Sequence, residues 1–268
     1  MIFTLNEAVN LPYCLSSVDW CDDVIVIDSG SEDDTVNLAQ QAGARVFTNP
    51  FQGFGTQRNW ALDNAFPKYQ WVLILDADER VPDALAIEIN QLVADQPELA
   101  AARVRRRFYM WGRWLRYSSL YPVWVVRLIH SDRVRYENRG HAETQKIDGE
   151  LAALDNDLID ENHKDLSHWY QRQERYAKAD ARYEVQQGSV ALKISELISS
   201  DPLIRKMAQK RLSWRLPFRG PFYFIYSYVF RQGFRDGTLG LRFCLMRAGY
   251  QRMVQKNKNQ LRSQSNAD

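Results

Sequence analysis

Residues 24–35 read VIVIDSGSEDDT, and this stretch decides the class of fold. Its first four side chains are apolar and β-branched without interruption, which is typical of a strand buried on both faces of a sheet. The run ends at Asp28, after which small polar residues favour a turn and an acidic pair can begin a helix at Thr35. The stretch therefore predicts a buried strand, a polar turn and a helix in direct succession.

The same succession of strand and helix recurs on both sides of this stretch. Alternation over about the first 95 residues predicts right-handed crossovers, and hence an α/β fold with a mostly parallel central sheet flanked by helices. From residue 100 to 160, shorter runs rich in Arg, Tyr and Trp predict strands of a mixed sheet, and residues 165–187 predict a polar helix. The predicted strands of the first part are 1–5, 24–27, 45–47 and 71–75, and its predicted helices are 6–18, 35–42, 57–65 and 83–93.

Acidic side chains follow two of the predicted strands. Asp28 ends one strand, and Asp76 and Asp78 follow the strand at 71–75. Ligands of parallel α/β sheets bind outside the carboxyl ends of the strands, so these three carboxylates are candidate site residues. Mg²⁺ commonly takes one or two carboxylates together with substrate phosphates. The sequence thus predicts a metal and nucleotide site, with helix capping as the alternative role for the second pair of acids.

Four segments, in this order, resemble the motifs of family 2 nucleotide-sugar glycosyltransferases, and in particular of the branch that builds the lipopolysaccharide core. The resemblance extends over about residues 1–150 and implies a GT-A fold, in which a nucleotide-binding half joins an acceptor half. It also implies a nucleotide-sugar donor and a divalent metal cofactor, Mg²⁺ or Mn²⁺. The segments are TLNE at 4–7, VIDSGSEDDT at 26–35, FGTQRNWAL at 54–62 and LDADE at 75–79.

The resemblance also implies roles for individual residues. Asp28 is expected to bond the donor's base, with Glu7 close to the nucleoside and Arg58 orienting the donor or its phosphates. Asp78 is expected to bind the metal beside the diphosphate, with Asp76 near the ribose or sugar. In one departure from the family pattern, only three residues precede the first motif. The donor-binding residues expected in full are Thr4, Asn6, Glu7, Asp28, Gly30, Ser31, Arg58, Asp76 and Ala77.

Transfer with inversion needs a carboxylate that takes the proton of the acceptor hydroxyl. The segment NRGHAE at 138–143 offers Glu143, which we predict to be this base, and His141, which we predict to be a second contact for the metal or phosphate. The metal and Arg58 would neutralise charge on the leaving diphosphate. The alternative is that this segment is a surface turn with a glutamate at the end of a strand.

Acceptor binding is assigned to Arg105, Arg107 and Trp111, since closely spaced arginines can grip an anionic acceptor and an aromatic ring can stack on a sugar. The alternative for the arginines is a solvated strand edge on which their aliphatic stems cover apolar surface. For the tryptophan it is ordinary packing.

The charge of the chain is uneven. The 268 residues carry a formal net charge of +2, but residues 202–268 hold 14 Lys and Arg against two acids, a net charge of +12, and residues 1–201 have a net charge of −10. Basic residues interleaved with aromatic ones are typical of segments that lie in a membrane interface. Residues 202–258 are therefore predicted to attach the protein to an anionic inner-membrane surface. The alternatives are packing on the catalytic domain or a dimer partner, and nucleic-acid binding, for which the chain has no RNP or helix-turn-helix motif.

Together these features predict a GT-A domain over residues 1–201 and a basic amphipathic helical extension over 202–268. The domain would comprise a nucleotide-binding half (1–98), an acceptor half (99–160) and a helical part (161–201). We predict an inverting, metal-dependent glycosyltransferase that acts on a lipid-linked saccharide and is peripheral on the cytoplasmic face of the inner membrane. No signal peptide or disulfide framework is expected, and an oligomer is left open. The alternatives are a nucleotidyltransferase, which would carry a Gly-rich phosphate loop, and a membrane scaffold with a degenerate transferase domain.

Overall fold

The protein is described by a computed structural model that divides into two compact units. The first unit contains residues 1–138 and 142–165, and the second contains residues 139–141 and everything from residue 166 onwards. The domain boundary predicted at residue 201 stays a prediction. The residues that the structure describes are 1–140, 142–187, 193–200, 205, 208, 211–215 and 218–265.

The first unit contains two larger sheets and a separate pair of strands. One has four parallel strands in the order β3-β2-β1-β5, and the other is mixed, with the order β4-β9-β7-β12-β6 and β8 paired to β7. Strands β10 and β11 form a separate pair. The strands are β1 (Ile2–Thr4), β2 (Ile25–Asp28), β3 (Arg45–Thr48), β4 (Trp71–Leu73), β5 (Leu75–Asp76), β6 (Glu79–Arg80), β7 (Ala101–Met110), β8 (Arg113–Trp114), β9 (Val123–His130), β10 (Val134–Arg139), β11 (Ala142–Ile147) and β12 (Leu151–Glu161).

Strand β2 confirms the prediction of a strand buried on both faces, since all four of its residues are buried. Ile25 and Ile27 pack in one hydrophobic core, and Val26 packs in the other. The two cores are those expected of a parallel sheet flanked on both faces. The predicted α/β class with a parallel sheet is therefore confirmed.

The predicted single strand at 71–75 is wrong in detail, because the segment passes from one sheet to the other. Residues 71–73 pair antiparallel with β9, whereas Leu75 and Asp76 pair parallel with β1. The change comes at Ile74, whose backbone N–H donates to Arg127 O over 2.7 Å. Apolar periodicity cannot reveal this, because residues 71–75 form one uninterrupted apolar run.

Helices in the first unit match the predicted ones with shifted ends. The predicted helix at 6–18 is shorter, because the backbone of residues 6–8 bonds to polar side chains of the loop after β2 instead. The helix predicted at 57–65 starts earlier, at Phe54. The four helices are α1 (Leu11–Ser16), α2 (Thr35–Gln41), α3 (Phe54–Asn64) and α4 (Asp83–Asp95).

The second unit is helical in its described part, which agrees with the predicted helical extension. Ala177 and Ala181 pack against Tyr250 and Val254 in a small core. No helix among the described residues is long and apolar enough to cross a bilayer. The elements are α5 (Leu166–Gln187), α6 (Ile194–Leu197), α7 (Arg219–Ile225), a π-helical turn (Tyr226–Phe230), a 3-10 turn (Gly233–Asp236) and α8 (Gly237–Ser265).

Candidate active site

The first two motifs are joined by hydrogen bonds between the loops that follow β1 and β2. The backbone N–H of Asn6 donates to Ser31 Oγ over 2.8 Å, and that of Glu7 donates to Thr35 Oγ1 over 2.7 Å. Asn6 Oδ1 in turn accepts from the backbone N–H of Glu32 at 2.7 Å. Because β1 and β2 are parallel neighbours, both loops leave the sheet at one edge and satisfy each other's backbone groups.

Asp28 is buried at the end of β2, with 1% of its surface exposed. Its Oδ1 accepts from the hydroxyls of Thr4, at 3.0 Å, and Ser31, and its Oδ2 accepts from the backbone N–H groups of Gly30 and Ser31 at 2.9 and 2.8 Å. Gly30 has a φ of +94°, which favours glycine at this turn. These bonds fill the usual acceptor capacity of a carboxylate, so Asp28 shapes the loop. Its contact with the donor's base stays a prediction.

Asp76, at the end of β5, binds two buried arginines. Its Oδ1 lies 3.0 Å from Arg58 Nη2, and its Oδ2 lies 2.6 Å from Arg127 Nη2. Burial alone would raise the pKa of Asp76, but Arg127 and Arg58 lower that pKa to about 2, so the carboxylate is charged in neutral solution. Asp76 thus neutralises both guanidinium groups, while its contact with the donor ribose or sugar stays a prediction.

A second buried acid, Glu79 on β6, extends this cluster. Arg127 Nη2 donates to Glu79 Oε1 over 2.6 Å, and Arg106 Nη1 lies 3.2 Å from Asp160 Oδ2. Burial raises the pKa of Glu79, Arg127 opposes the rise, and Asp76 adds to it. Sequence reasoning missed this cluster, although Arg127 is the single charged residue in the apolar run VWVVRLI, which indicates a buried and paired charge.

Arg58 connects Asp76 to Glu143, the predicted base. Its Nη1 lies 2.9 Å from Glu143 Oε1, in an ion pair that lacks the angle of a hydrogen bond. The guanidinium also lies 5.5 Å from the ring centres of both Phe3 and Tyr136, a distance at which each ring attracts the cation. The structure therefore brings Arg58, Asp76 and Glu143 together. Their chemical roles stay predictions.

Helix α3 positions Arg58 because the helix is tied to β10. Asn59 Nδ2 donates to Tyr136 O over 2.8 Å, and Asn59 Oδ1 accepts from the backbone N–H of Tyr136 at 2.9 Å. The backbone N–H of Gly55 donates to Asn138 Oδ1 over 2.8 Å, and a Cβ at Gly55 would lie 2.9 Å from the backbone of β10. Glycine is thus needed where the helix approaches the strand.

Lys164 and Asn10 fix the side chain of Glu7. Lys164 Nζ lies 2.6 Å from Glu7 Oε1, and Asn10 Nδ2 donates to Glu7 Oε2 over 2.7 Å. Burial and the charge of Asp78 raise the pKa of Glu7, and Lys164 opposes that rise. Sequence reasoning missed Lys164, since 157 positions separate it from Glu7 and no motif contains it.

Replacing Lys164 with Met should lower the free energy of unfolding by about 3 kcal/mol, because Glu7 would keep a buried charge without its cation. Urea denaturation measures the change. Lys178→Met is the matched control, because Lys178 pairs with Glu174 on the exposed surface of α5 and should contribute less than about 0.5 kcal/mol. Equal effects of the two substitutions would contradict a buried ion pair at Glu7.

The carboxylates of the Asp-Ala-Asp motif differ in what they can offer a metal. Asp76 is occupied by its arginines, and Ala77 packs in the hydrophobic core. Asp78 is half-buried, and its Oδ2 accepts from Asn162 Nδ2 at 3.0 Å. No three His, Cys, Asp or Glu side chains of the described residues come together as a metal cluster, and His141 lies outside those residues. The single carboxylate of Asp78 fits a divalent ion whose other ligands are phosphate oxygens and water.

Two of the predicted acceptor residues, Arg105 and Arg107, lie on the face of β7 opposite to that of Arg106. Arg105 Nε and Arg107 Nε each lie 2.6 Å from Asp157, whereas Arg106 between them faces Asp160. Alternate residues of a strand point to opposite faces, which explains the division. Trp111 is partly exposed in the turn after β7. A role of these residues in acceptor binding stays a prediction.

The parallel strands β2 and β5 thus end in the carboxylates of Asp28 and Asp76, and two buried arginines pair with Asp76. The model of Glycosyl transferase family 2 matches residues 1–161, which is more than half of the chain. The chain belongs to this family, and its fold is the GT-A type of α/β fold. The membership favours sugar transfer over the nucleotidyltransferase and scaffold alternatives.

Two curated proteins are similar to parts of this chain. The "Lipopolysaccharide core biosynthesis glycosyltransferase LpsC" of Rhizobium meliloti is 33% identical over 141 residues, which are 51% of this chain and 52% of that protein. A TPR repeat-containing protein of Synechococcus elongatus is 41% identical over 151 residues, 56% of this chain and 35% of that protein. The chain thus spans about half the length of the first relative and about a third of the second.

Solved structures of similar shape include two transferases. A mannosyltransferase from Pyrobaculum calidifontis, in complex with GDP-Man and Mn²⁺, has a TM-score of 0.48 and 13% identity, and the match covers 96% of this chain and 85% of that chain. Glucosyl-3-phosphoglycerate synthase from Mycobacterium tuberculosis has a TM-score of 0.47 and 17% identity, covering 71% and 79%. The assignment of the fold rests on the family and on the order of the strands.

Proposed function

We propose that the protein is an inverting, metal-dependent glycosyltransferase that moves a sugar from a nucleotide-sugar donor to a lipid-linked saccharide of the lipopolysaccharide core or a similar envelope glycan. One observation carries the proposal. Arg58 pairs with Asp76 at the end of a parallel strand and with Glu143, so the donor edge of the sheet and a candidate base share one buried cation. The name of the relative LpsC supports the choice of acceptor.

The nucleotide part of the donor would lie against the interlocked loops after β1 and β2. Glu7, held by Lys164 and Asn10, would accept hydrogen bonds from the nucleoside, and Asp28 with its loop would face the base. Asp78 would hold Mg²⁺ or Mn²⁺ beside the diphosphate, where the ion neutralises charge on the leaving group. Asp76 stays ionised between its arginines and would orient the sugar or ribose.

Glu143 would act as the general base. Its ion pair with Arg58 fixes the position of the carboxylate, while 13% of its side chain remains exposed. The carboxylate would take the proton of the acceptor hydroxyl as that oxygen bonds to the anomeric carbon and the nucleoside diphosphate leaves from the opposite side. A single displacement of this kind inverts the configuration of the sugar. Arg105, Arg107 and Trp111 are proposed to bind the acceptor.

The place of action would be the cytoplasmic face of the inner membrane, since a lipid-linked acceptor is anchored there. Residues 1–201 would form the catalytic domain, with a nucleotide-binding half, an acceptor half and a helical part, and residues 202–268 would associate with the membrane. The net charge of +12 in the second segment supports this division of roles.

Replacing Asp78 with Ala should weaken the binding of nucleoside diphosphate in the presence of Mn²⁺ by at least about tenfold, since the ion would lose its protein ligand. A ligand that binds only the native state raises the melting temperature, so a thermal-shift titration of UDP and GDP with and without Mn²⁺ measures the effect. Asp95→Ala, at the exposed end of α4, is the control. A D78A variant that keeps the full Mn²⁺-dependent shift would contradict the proposed metal site.

A further inference from the structure

A helical hairpin in the second unit presents its large apolar side chains to the outside. Its first arm consists of α7 and the π-helical turn, and its second arm is the start of α8. The first arm carries an apolar stripe whose members are 46% to 74% exposed. We call this set the aromatic stripe: Phe222, Ile225, Tyr226, Val229 and Phe230.

The spacing of the aromatic stripe is that of one helix face. Its members follow each other at i, i+3, i+4, i+7 and i+8, the pattern by which a helix of a soluble domain normally faces the core. In this arm the apolar face is exposed instead, and the buried residues are Gly220 and Ser227. Two further apolar side chains of the hairpin, Phe234 in the 3-10 turn and Leu245 on α8, are 50% and 54% exposed.

Two glycines lie at close contacts inside the hairpin. A Cβ at Gly220 would lie 2.9 Å from Ala248 O on α8, and a Cβ at Gly233 would lie 2.7 Å from Ser227 O and 2.9 Å from Cys244 Sγ. The arms therefore approach each other closely at these two glycines, where any side chain would collide with Arg252, with Cys244 or with the backbone. Helices in lipid divide their surfaces in the same way, with small residues at the helix contact and large apolar ones outside.

The charge around the stripe complements an anionic surface. Arg231, Arg235 and Arg242 are exposed on the hairpin, and Asp236 is the one acid in the sequence between residues 203 and 265. Arginine side chains near an apolar, aromatic face suit the headgroups of anionic lipids, which attract each basic residue over a short range. Tyr226 is amphipathic and suited to the boundary between headgroups and acyl chains.

We propose that the aromatic stripe, together with Phe234 and Leu245, inserts into the interface of an anionic lipid bilayer. The insertion is shallow, because the first arm has 12 residues, about 18 Å of helix, against about 30 Å of hydrocarbon. This inference deepens the proposed function and rests on it in one respect, since it names the surface on which the proposed transfer takes place.

The test uses the full chain and sedimentation with large vesicles of phosphatidylcholine, either alone or mixed with phosphatidylglycerol. The unaltered protein should sediment with the mixed vesicles, and less so as the salt concentration rises. Phe222→Ser combined with Phe230→Ser should lower the partition coefficient at least about tenfold. Phe66→Ser is the matched control, because Phe66 is 75% exposed in the first unit and should leave the partition coefficient unchanged.

Three outcomes would overturn the inference: no sedimentation of the unaltered protein with mixed vesicles, unchanged sedimentation of the double variant, or an equal loss in Phe66→Ser. A double variant that turns a dimer into a monomer in analytical ultracentrifugation, with vesicle binding unchanged, would assign the stripe to a protein interface instead. Leu245→Ser, on the second arm, repeats the test should the double variant fail to fold. The thermal shift caused by UDP or GDP with Mn²⁺ is measured on every variant. Its absence in all of them would count against the proposed function and leave the vesicle result standing.

Discussion

Replacing Asp76 with Asn should remove nearly all sugar transfer and lower the free energy of unfolding by about 3 kcal/mol. Arg58 and Arg127 would lose their shared carboxylate while their side chains stay 3% and 5% exposed. The stability effect lies at the low end for a buried pair, because 32% of the Asp76 side chain is exposed. Arg58 also fixes Glu143, and a displacement of about 1 Å in a reacting group can cost about 10²-fold in rate.

Urea denaturation and a transfer assay at saturating donor measure the two effects of Asp76→Asn. The control is Asp22→Asn, whose carboxylate pairs with Lys68 on the exposed surface and should change neither quantity. An Asp76→Asn protein with unaltered stability and rate would show that the buried arginines do not depend on Asp76. Loss of activity without loss of stability would restrict Asp76 to a contact with the donor.

Local patterns in the sequence predicted those parts of the fold that depend on neighbouring residues. The four apolar residues before Asp28 predicted β2, and both faces of that strand are buried. Parallel pairing then places the ends of β1, β2 and β5 side by side, with Thr4 opposite Asp28 and Phe3 opposite Asp76. The predicted edge of the sheet therefore follows from strand order alone.

The ion pairs of the site could not be predicted, because they join residues far apart in the chain. Arg127 reaches Asp76 across 51 positions, and Lys164 reaches Glu7 across 157. Period-two alternation predicts that Arg105 and Arg107 share one face of a strand and that Arg106 lies on the other. Which of the two faces carries the buried acids depends on the register of β12 and β6, and no local pattern encodes that register.

The sequence could not predict that the apolar face of the helical hairpin is exposed. The spacing of Phe222, Tyr226 and Val229 indicates an amphipathic helix, but the same spacing fits a face packed in a core. The distinction comes from the opposite face of the helix, whose buried residues are Gly220 and Ser227. Periodicity identifies an apolar face, and the residues on the opposite face decide whether it is covered.

Replacing Glu143 with Gln should lower the rate of transfer by about 10²- to 10⁴-fold while donor binding stays within about twofold of the unaltered protein. The amide keeps the shape of the side chain beside Arg58 but cannot take a proton from the acceptor hydroxyl. Since Asp76 still faces Arg58, the guanidinium retains one carboxylate and should hold its position. Single-turnover kinetics with bound donor separates the chemical step from binding.

The matched control is Glu137→Gln on β10, whose exposed carboxylate pairs with Lys146 and should leave the rate unchanged. A pH profile gives a second readout, because the rate that remains in Glu143→Gln should lose the dependence on an ionised base. A fully active variant would move the base to another carboxylate of the cluster. Equal losses of donor binding and of rate would instead make Glu143 a residue that positions Arg58, since only a general base is needed in the transfer step and not in the binding step.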